Sequence, residues 1–170
     1  MSRSNPRKQK PRSARATAQI VVEGYTEEAF CKHLKSIYAR DCGVRVEVHN
    51  ARGGSPQDVI QAALNRPGFD RTFVFFDTDI PLPPTWAAKS RRAGHILITP
   101  SPCIEAFLLT LLGRPCPSDT AACKHAFDAM LPPPDKYDYR AYVRHFPKEL
   151  LDAARHPLLD TLRSAFTRSC

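Results

Sequence analysis

Residues 72–79, which have the sequence TFVFFDTD, decide the fold of this chain. The apolar run over residues 72–76 predicts a central strand that is covered on both faces, as in a parallel sheet. Asp77 and Asp79 follow this strand directly. Because ligands bind beyond the carboxyl ends of the strands in an open parallel sheet, the same stretch also predicts where a functional site lies.

The segments around this strand alternate between strand and helix patterns. Further strands are predicted at residues 18–23 (AQIVVE), 44–48 (VRVEV) and 95–99 (HILIT). Helices are predicted between them: an apolar stripe that includes Phe30 and Leu34, a helix capped by Ser55 and opened by Pro56, a short helix over 86–93, and a strongly apolar helix from Pro102 to about Leu112. This alternation is typical of an α/β domain with a mainly parallel sheet flanked by helices.

The chain divides by composition into three parts. Residues 1–17 are rich in Arg, Lys, Ser and Pro and contain no acid, which predicts a disordered basic arm. Residues 18–112 are expected to form the α/β domain, and residues 113–170 a helical extension packed on the same domain. The arm carries most of the formal net charge of +8, so the rest of the chain is close to neutral.

Two basic segments are candidates for binding nucleic acid. The cations of the arm attract phosphate backbones in a salt-sensitive, sequence-independent way, although a solvated arm that contacts nothing specific is an equal alternative. Residues 136–144 (KYDYRAYVR) alternate tyrosines with cations, a pattern that can stack bases or simply form an amphipathic helix. The candidate residues are Arg7, Lys8, Lys10, Arg12, Arg15, Arg140 and Arg144.

Composition also bears on location. The chain is 42% hydrophobic and 25% charged, as in water-soluble globular proteins. No uninterrupted apolar stretch approaches the ~20 residues that cross a bilayer, and no secretory signal follows the basic N-terminus. The six cysteines include no CxxC pair, so free thiols are expected rather than a zinc ribbon or a redox motif. We therefore expect a cytoplasmic protein that does not bind membranes.

Acidic side chains cluster where strands are predicted to end. Glu23 closes the first strand and Glu27 lies in the first turn of the next helix, while Asp77 and Asp79 close the central strand. Two carboxylates about 5 Å apart repel by roughly 3 kcal/mol at an effective dielectric of about 20, so such a group needs a counter-ion. Oxygen ligands with no His or Cys beside them suit Mg²⁺ or Mn²⁺ rather than zinc.

Structural roles are the alternative for each acid. Glu27 can complement a helix dipole, and Asp77 and Asp79 can simply begin a loop. We favour a functional role for Glu23, Asp77 and Asp79 because they close strands of one sheet. Glu105 is the one charged residue in the strongly apolar helix. Because an unpaired buried carboxylate is costly, Glu105 is expected either on an exposed stripe or in a polar site.

Several segments resemble a known protein family. Residues 23–27 (EGYTE) resemble the EGxTE signature of Toprim domains in OLD-nuclease and RloB-like proteins, and residues 77–79 (DTD) resemble their DxD motif. Residues 100–109 (PSPCIEAFLL) are similar to the SNPCFExWLL segment of RloB-like proteins, with Ser101, Ile104 and Phe107 as departures. The turn at residues 53–56 (GGSP) also fits, and the resemblance covers about residues 20–112.

This resemblance implies a Toprim-like fold and a role for each acid. Glu23 matches the Toprim glutamate that acts in acid/base chemistry or binds metal, and Asp77 and Asp79 match the metal-binding aspartates. Glu27 and Glu105 are then supporting acids near the metals. Pro81 stands where some Toprim domains have a third aspartate, which puts a second metal in question.

The expected function is therefore metal-dependent hydrolysis of a phosphodiester in DNA or RNA. Glu23, Asp77 and Asp79 are the expected catalytic residues, with Mg²⁺ or Mn²⁺ as the cofactor. RloB-like proteins are associated with prokaryotic defence and restriction loci, which implies foreign nucleic acid as the target and a partner protein such as an ATPase. The alternative is a non-catalytic Toprim-like subunit that binds nucleic acid or a partner. A receiver-like domain with Asp77 as phospho-acceptor ranks last, because no obvious lysine follows a suitable downstream strand.

Overall fold

A four-stranded sheet organises the computed structural model, which describes residues 15–40 and 42–168. The strands are β1 (Ala16–Val22), β2 (Val44–Asn50), β3 (Arg71–Phe75) and β4 (Ile96–Ile98), in the order β2-β1-β3-β4. All neighbouring strands are parallel; Val22 aligns with Asn50 on one side and with Phe75 on the other, and Phe75 aligns with Ile98. The carboxyl ends of the strands therefore lie at one edge of the sheet.

Helices connect the strands and continue beyond them. The α-helices are α1 (Tyr25–Tyr38), α2 (Pro56–Leu64), α3 (Pro84–Arg92), α4 (Ile104–Leu111), α5 (Thr120–Met130), α6 (Tyr142–His145), α7 (Lys148–Ala153) and α8 (Pro157–Ser164). Short 3₁₀ turns at Asp135–Tyr137 and Tyr139–Ala141 precede α6.

One face of the sheet carries the larger core. Ile20 of β1 and Phe75 of β3 are fully buried there, among side chains of α1, α4 and the helices that follow. Phe30 of α1 lies at the centre, with its ring 5.9 Å from that of Phe107 in α4 and 5.7 Å from that of Phe146. Burying each such side chain contributes about 1.5–3 kcal/mol. Side chains of the helices after Gly113 therefore share this core with β1, β3 and α1.

The opposite face carries a smaller core. Val21 of β1 and Val74 of β3 are fully buried against Val59 and Ile60 of α2, and Trp86 of α3 packs at its margin. Successive residues of a strand point to opposite faces, so β1 and β3 supply side chains to both cores. This is why the central strands have continuous apolar sequences.

The α/β class, the parallel sheet and the flanking helices are confirmed, whereas the predicted ends of the basic arm and of the apolar helix were wrong. The arm predicted over residues 1–17 extends two residues too far, because Ala16 and Thr17 already pair in β1. The backbone N–H of Thr17 also donates to Asp70 at 2.7 Å, which holds the start of the strand. The apolar helix begins at Ile104 instead of Pro102, because the residue before Ile104 still has an extended backbone.

Other expectations from the sequence concern the arm, the membrane and the thiols. Arg7, Lys8, Lys10 and Arg12 lie outside the described residues. Among the residues that the structure describes, no helix combines the length and the apolar character that crossing a membrane requires. The five cysteines within this part of the chain have free thiols, as expected.

Candidate metal centre

Glu23 leaves the sheet at the carboxyl end of β1, which lies between β2 and β3. Its backbone N–H donates to the carbonyl of Phe75 at 3.0 Å. Its carboxylate Oε2 accepts a hydrogen bond from the backbone N–H of Asp77 at 3.1 Å. The ends of β1 and β3 therefore bring these two acids together, as the sequence predicted.

Glu27 reaches the same edge from the first turn of α1. Gly24 precedes this helix with an extended backbone, and its carbonyl accepts from the N–H of Glu28 at 3.1 Å. A Cβ at residue 24 would lie 3.0 Å from Oε2 of Glu27, so glycine leaves room for that carboxylate. Glu27 is only 5% exposed. The spacing in EGYTE thus places a second glutamate against the first.

The start of α4 supplies the third side of the site. Oδ1 of Asp77 accepts from the backbone N–H of Ile104 at 2.9 Å, where the first N–H groups of a helix have no partner within the helix. Ligand atoms of Asp77, Cys103 and Glu105, one from each, all lie within 4.8 Å of one another. Glu105 is 3% exposed, and its Oε2 has no hydrogen-bond partner among the described residues.

The loop after β2 packs against Glu23. The N–H of Gly53 donates to the carbonyl of Glu23 at 2.7 Å. Gly54 has a φ of +110°, and a Cβ there would lie 2.7 Å from Oδ2 of Asp58, so this turn requires glycine. The same carboxylate accepts from the N–H and the hydroxyl of Ser55, both at 2.7 Å, and completes the capping box that opens α2.

These elements form an open pocket of about 340 Å³. A water molecule takes roughly 30 Å³ in the liquid, so the pocket has room for a cation, its waters and a phosphate group. The lining residues are Glu23, Gly24, Tyr25, Thr26, Glu27, Gly53, Asp77, Glu105, Lys124, Lys136 and Tyr137. A larger pocket of about 660 Å³, between the end of α1 and residues 163–168, contains none of the predicted acids.

Burial and mutual repulsion raise the pKa values of the acids. Burial is the main reason that the pKa of Asp77 rises from 3.8 to about 8, and the charges of Glu27, Glu105 and Glu23 add to the rise. Burial also raises the pKa of Glu27 from 4.5 to about 7, with Glu105 and Glu23 adding to it. The pKa of Glu23 is raised as well, again mainly by burial. Without a cation, protons therefore remain on this group near neutral pH.

Lys124 of α5 is a cation that the fold brings to the acids. Burial lowers its pKa, but the charges of Glu105, Asp77 and Asp79 outweigh that effect and raise it. Within residues 15–40 and 42–168, no Lys or Arg forms an ion pair within 4.0 Å with an acid of the pocket. Lys136 pairs at 2.6 Å with an aspartate outside the pocket. The negative charges of the pocket acids are therefore only partly balanced, by the nearby charge of Lys124.

The remaining predicted site residues lie apart from this buried group. Asp79 is exposed, because the backbone bends at residues 78–80, so it is not part of the buried group. Asp79 still helps to raise the pKa of Glu23. Arg15 directly precedes β1 and lies roughly 26 Å along the extended chain from Glu23. Arg140 and Arg144 are exposed and line a separate pocket.

The donor set fits a hard divalent cation. Glu27, Asp77 and Glu105 offer buried carboxylate oxygens, and Oε2 of Glu105 has no partner within residues 15–40 and 42–168. Such oxygens are the ligands of Mg²⁺ and Mn²⁺. The expectation that no cysteine lies beside these acids was wrong, since Cys103 belongs to the cluster. Burial raises the pKa of the Cys103 thiol, so it stays protonated and is a poor ligand for a hard cation.

No protein-family model matches the chain, and no curated protein or solved structure gives a significant match. The four-stranded, all-parallel sheet flanked by helices is consistent with a Toprim-like α/β fold.

Proposed function

We propose that the chain is a Toprim-like nuclease that uses Mg²⁺ or Mn²⁺ to hydrolyse phosphodiester bonds of DNA or RNA. Glu105 carries this proposal, because its buried Oε2 has no hydrogen-bond partner in the part of the chain that the structure describes, and its carboxylate lies within 4.8 Å of that of Asp77. Unpaired buried carboxylates are strongly destabilising unless protons or a cation neutralise them. A site that tolerates several of them is suited to a divalent ion.

The residues of the pocket divide the work according to burial and position. Glu27, Asp77 and Glu105 hold the ion, which when bound polarises a phosphate oxygen and lowers the pKa of a water molecule. Glu23 is less buried, and its hydrogen bond from the backbone of Asp77 fixes its carboxylate at the pocket. Its raised pKa suits a group that accepts a proton from water near neutral pH.

Two charged residues act at the margin of the pocket. Lys124 keeps its proton beside the acids and can hold a phosphate oxygen of the substrate. Asp79 is exposed, so we place it outside the group that holds the ion.

The cellular setting follows from the family resemblance. We propose action on foreign nucleic acid in the cytoplasm, within a prokaryotic defence or restriction system that includes a partner protein such as an ATPase. The free thiols of the five described cysteines support a reducing compartment.

A cleavage assay on the full chain tests the proposal. End-labelled single-stranded and duplex DNA and RNA are incubated with Mg²⁺, with Mn²⁺ or with EDTA. Cleavage is expected with either metal and not with EDTA. Glu23→Gln, Asp77→Asn and Glu105→Gln should each reduce the rate by at least about 100-fold, more than the loss of an outer-shell partner produces.

Glu149→Gln is the matched control, because Glu149 is exposed on α7 and outside the pocket. Cleavage that survives in all three pocket variants would identify a contaminating nuclease. Metal-independent binding without cleavage, equal in wild type and variants, would favour the non-catalytic subunit instead.

A further inference from the structure

Two tyrosines project at the mouth of the acidic pocket. Tyr25 is 58% exposed and Tyr137 is 49% exposed, although both line the pocket that contains Glu23 and Glu27. Their ring centroids lie 6.1 Å apart at an interplanar angle of 65°. We call this pair the tyrosine rim.

Packing within the chain does not account for these rings. Tyr142, from the same tyrosine-rich segment, is fully buried, and its hydroxyl donates to a backbone carbonyl at 2.9 Å. The exposed rings of Tyr25 and Tyr137 add little to the core by comparison, since buried rings are the ones that stabilise a core. Of the two interpretations of residues 136–144, a continuous amphipathic helix is wrong, because 3₁₀ turns and the single turn of α6 occupy the segment.

The rim is held in place by its neighbours. Tyr25 begins α1 directly after Gly24. Tyr137 ends a 3₁₀ turn whose Lys136 is 7% exposed, and the carbonyl of Lys136 accepts the hydrogen bond from Tyr142. The Nζ of Lys136 bonds Asp128 at 2.6 Å and lies 5.3 Å from the ring centroid of Tyr137. α1 and the 3₁₀ turn thus hold the two exposed rings at the mouth of the pocket, where a planar ligand can stack on them.

We infer that the tyrosine rim stacks an unpaired base next to the phosphate in the pocket, so that the substrate is single-stranded nucleic acid. This inference rests on the proposed nuclease function. Bases stack on exposed aromatic rings whatever their identity, and each such contact is worth about 1–3 kcal/mol. In a duplex the same faces are already stacked on neighbouring base pairs, so the rim discriminates between the two forms.

The charges around the rim match the backbone of such a strand. Lys124 lines the pocket beside the rim. Arg140 and Arg144 follow Tyr137 along the chain but line a separate pocket, and Arg140 pairs with Asp138 at 2.8 Å. The acids inside the pocket receive the cation, and the cation together with Lys124 receives the phosphate. A cation beside exposed aromatic rings is an arrangement that binds single strands with little sequence preference.

Binding measurements separate the rim from catalysis. A labelled oligonucleotide of about 12 nucleotides, within the usual site sizes, is titrated in Ca²⁺ by fluorescence anisotropy, and a gel checks that it stays intact. Tyr25→Ala and Tyr137→Ala should each weaken single-strand binding about 5- to 150-fold. Tyr25→Phe and Tyr137→Phe keep the ring and should bind within about twofold of wild type. Tyr139→Ala is the control, since Tyr139 is exposed but outside the pocket.

An oligonucleotide with one abasic position supplies the partner in a double-mutant cycle. The abasic position is moved along the oligonucleotide. At one position the missing base should weaken binding to the wild-type protein without weakening binding to the alanine variants. Duplex of the same sequence should bind more weakly and should not respond to the tyrosine changes.

Failure of the rim and failure of the nuclease proposal give different results. If cleavage depends on metal but the alanine variants bind like wild type, the inference about the rim is wrong and the nuclease proposal stands. The same holds if duplex binds as tightly as single strands. If single strands bind in a tyrosine-dependent way but are not cleaved, the stacking role of the rim is supported and the nuclease proposal is wrong. Complete lack of nucleic-acid binding overturns both. Self-association that is lost in Tyr25→Ala overturns the rim inference alone, because a second copy of the chain would then occupy the rim.

Discussion

The carboxylate of Glu23 and the backbone N–H of Asp77 are joined by a 3.1 Å hydrogen bond. The side chain of Asp77 accepts in turn from the backbone N–H of Ile104 at 2.9 Å. Two acids of the proposed site therefore also hold β1, β3 and the start of α4 together. Their structural role and their metal-binding role can be separated by choosing substitutions that keep the acceptor and remove the charge.

Glu23→Ala should destabilise the metal-free protein more than Glu23→Gln. The glutamine amide oxygen can still accept from the N–H of Asp77, whereas alanine leaves that donor without a partner. The expected difference is about 1 kcal/mol, as for a typical lost hydrogen bond. Urea denaturation in EDTA near neutral pH measures it. Equal free energies of unfolding for the two variants would mean that this bond does not hold the strand ends together.

Asp77→Asn should stabilise the metal-free protein and abolish its stabilisation by metal. Asparagine keeps an oxygen for the N–H of Ile104 but removes the charge that burial and the neighbouring glutamates disfavour. At pH values above the pKa of Asp77, the free energy of unfolding should rise by roughly 1–3 kcal/mol. This is the range for relief of an unsatisfied buried group. Thermal denaturation with EDTA and with Mn²⁺ measures both effects.

Glu149→Gln serves as the charge-matched control for that comparison, because it removes one carboxylate from the exposed surface of α7. It should leave both melting temperatures within about 2 °C of wild type. If Asp77→Asn destabilised the metal-free protein, repulsion among the buried acids would not be a significant term.

Stability of the metal-free protein should fall as the pH rises from about 4 to about 8. Over this interval the unfolded chain has already released protons that the folded chain keeps on Asp77 and Glu27, whose pKa values are raised to about 8 and about 7. The unfolded state then binds fewer protons, so the free energy of unfolding decreases with pH. Above the pKa of Asp77 this contribution is fully lost.

Stabilisation by Mg²⁺ should have the opposite dependence on pH. Protons and the cation compete for the same carboxylates, so the Mg²⁺-induced rise in melting temperature should be larger near pH 8 than near pH 6. Melting curves at fixed Mg²⁺ across this range test the competition. A rise that does not change with pH would place the bound ion away from Asp77 and Glu27.

The edge of the sheet and most of its acids could be predicted from local sequence. The run at residues 72–76 has no polar face and must be central, and the carboxyl ends of parallel strands meet at one edge. Those two facts bring Glu23 and Asp77 together, and Glu27 follows Glu23 by one helical turn. For Glu105 the sequence left burial and exposure open. The structure buries it because α4 is enclosed on nearly all sides, so that residues 104–109 of this helix are all buried.

Lys124 and Tyr137 could not be predicted as parts of the site. Both lie beyond Gly113, and their approach to the pocket depends on how the C-terminal helices fold back onto α1. That arrangement is set by contacts between residues distant in sequence, such as Phe30 with Phe146. The exposure of Asp79 could not be predicted either, because the backbone bends at residues 78–80, after β3 has ended.

Cys103 leads to a prediction about metal selectivity. Its thiol lies in the cluster with Asp77 and Glu105, yet burial raises its pKa and keeps it protonated. Mg²⁺ prefers oxygen ligands and does not displace the thiol proton, whereas Cd²⁺ binds sulfur strongly enough to do so. Cys103→Ser should therefore leave Mg²⁺-dependent activity within about twofold while weakening Cd²⁺ binding by at least about 10-fold.

The Cd²⁺ titration is best made in a Cys116→Ser background, because the sulfur of Cys116 lies 3.6 Å from that of Cys123 and offers a separate thiol pair. Ultraviolet absorption by the cadmium–thiolate bond reports sulfur ligation directly, and proton release at constant pH provides a second readout. Cys42→Ser is the control, since Cys42 lies in the larger pocket away from the acids. Unchanged thiolate absorption in Cys103→Ser would place the soft metal elsewhere, and loss of Mg²⁺-dependent activity would make the sulfur a ligand of the hard cation after all.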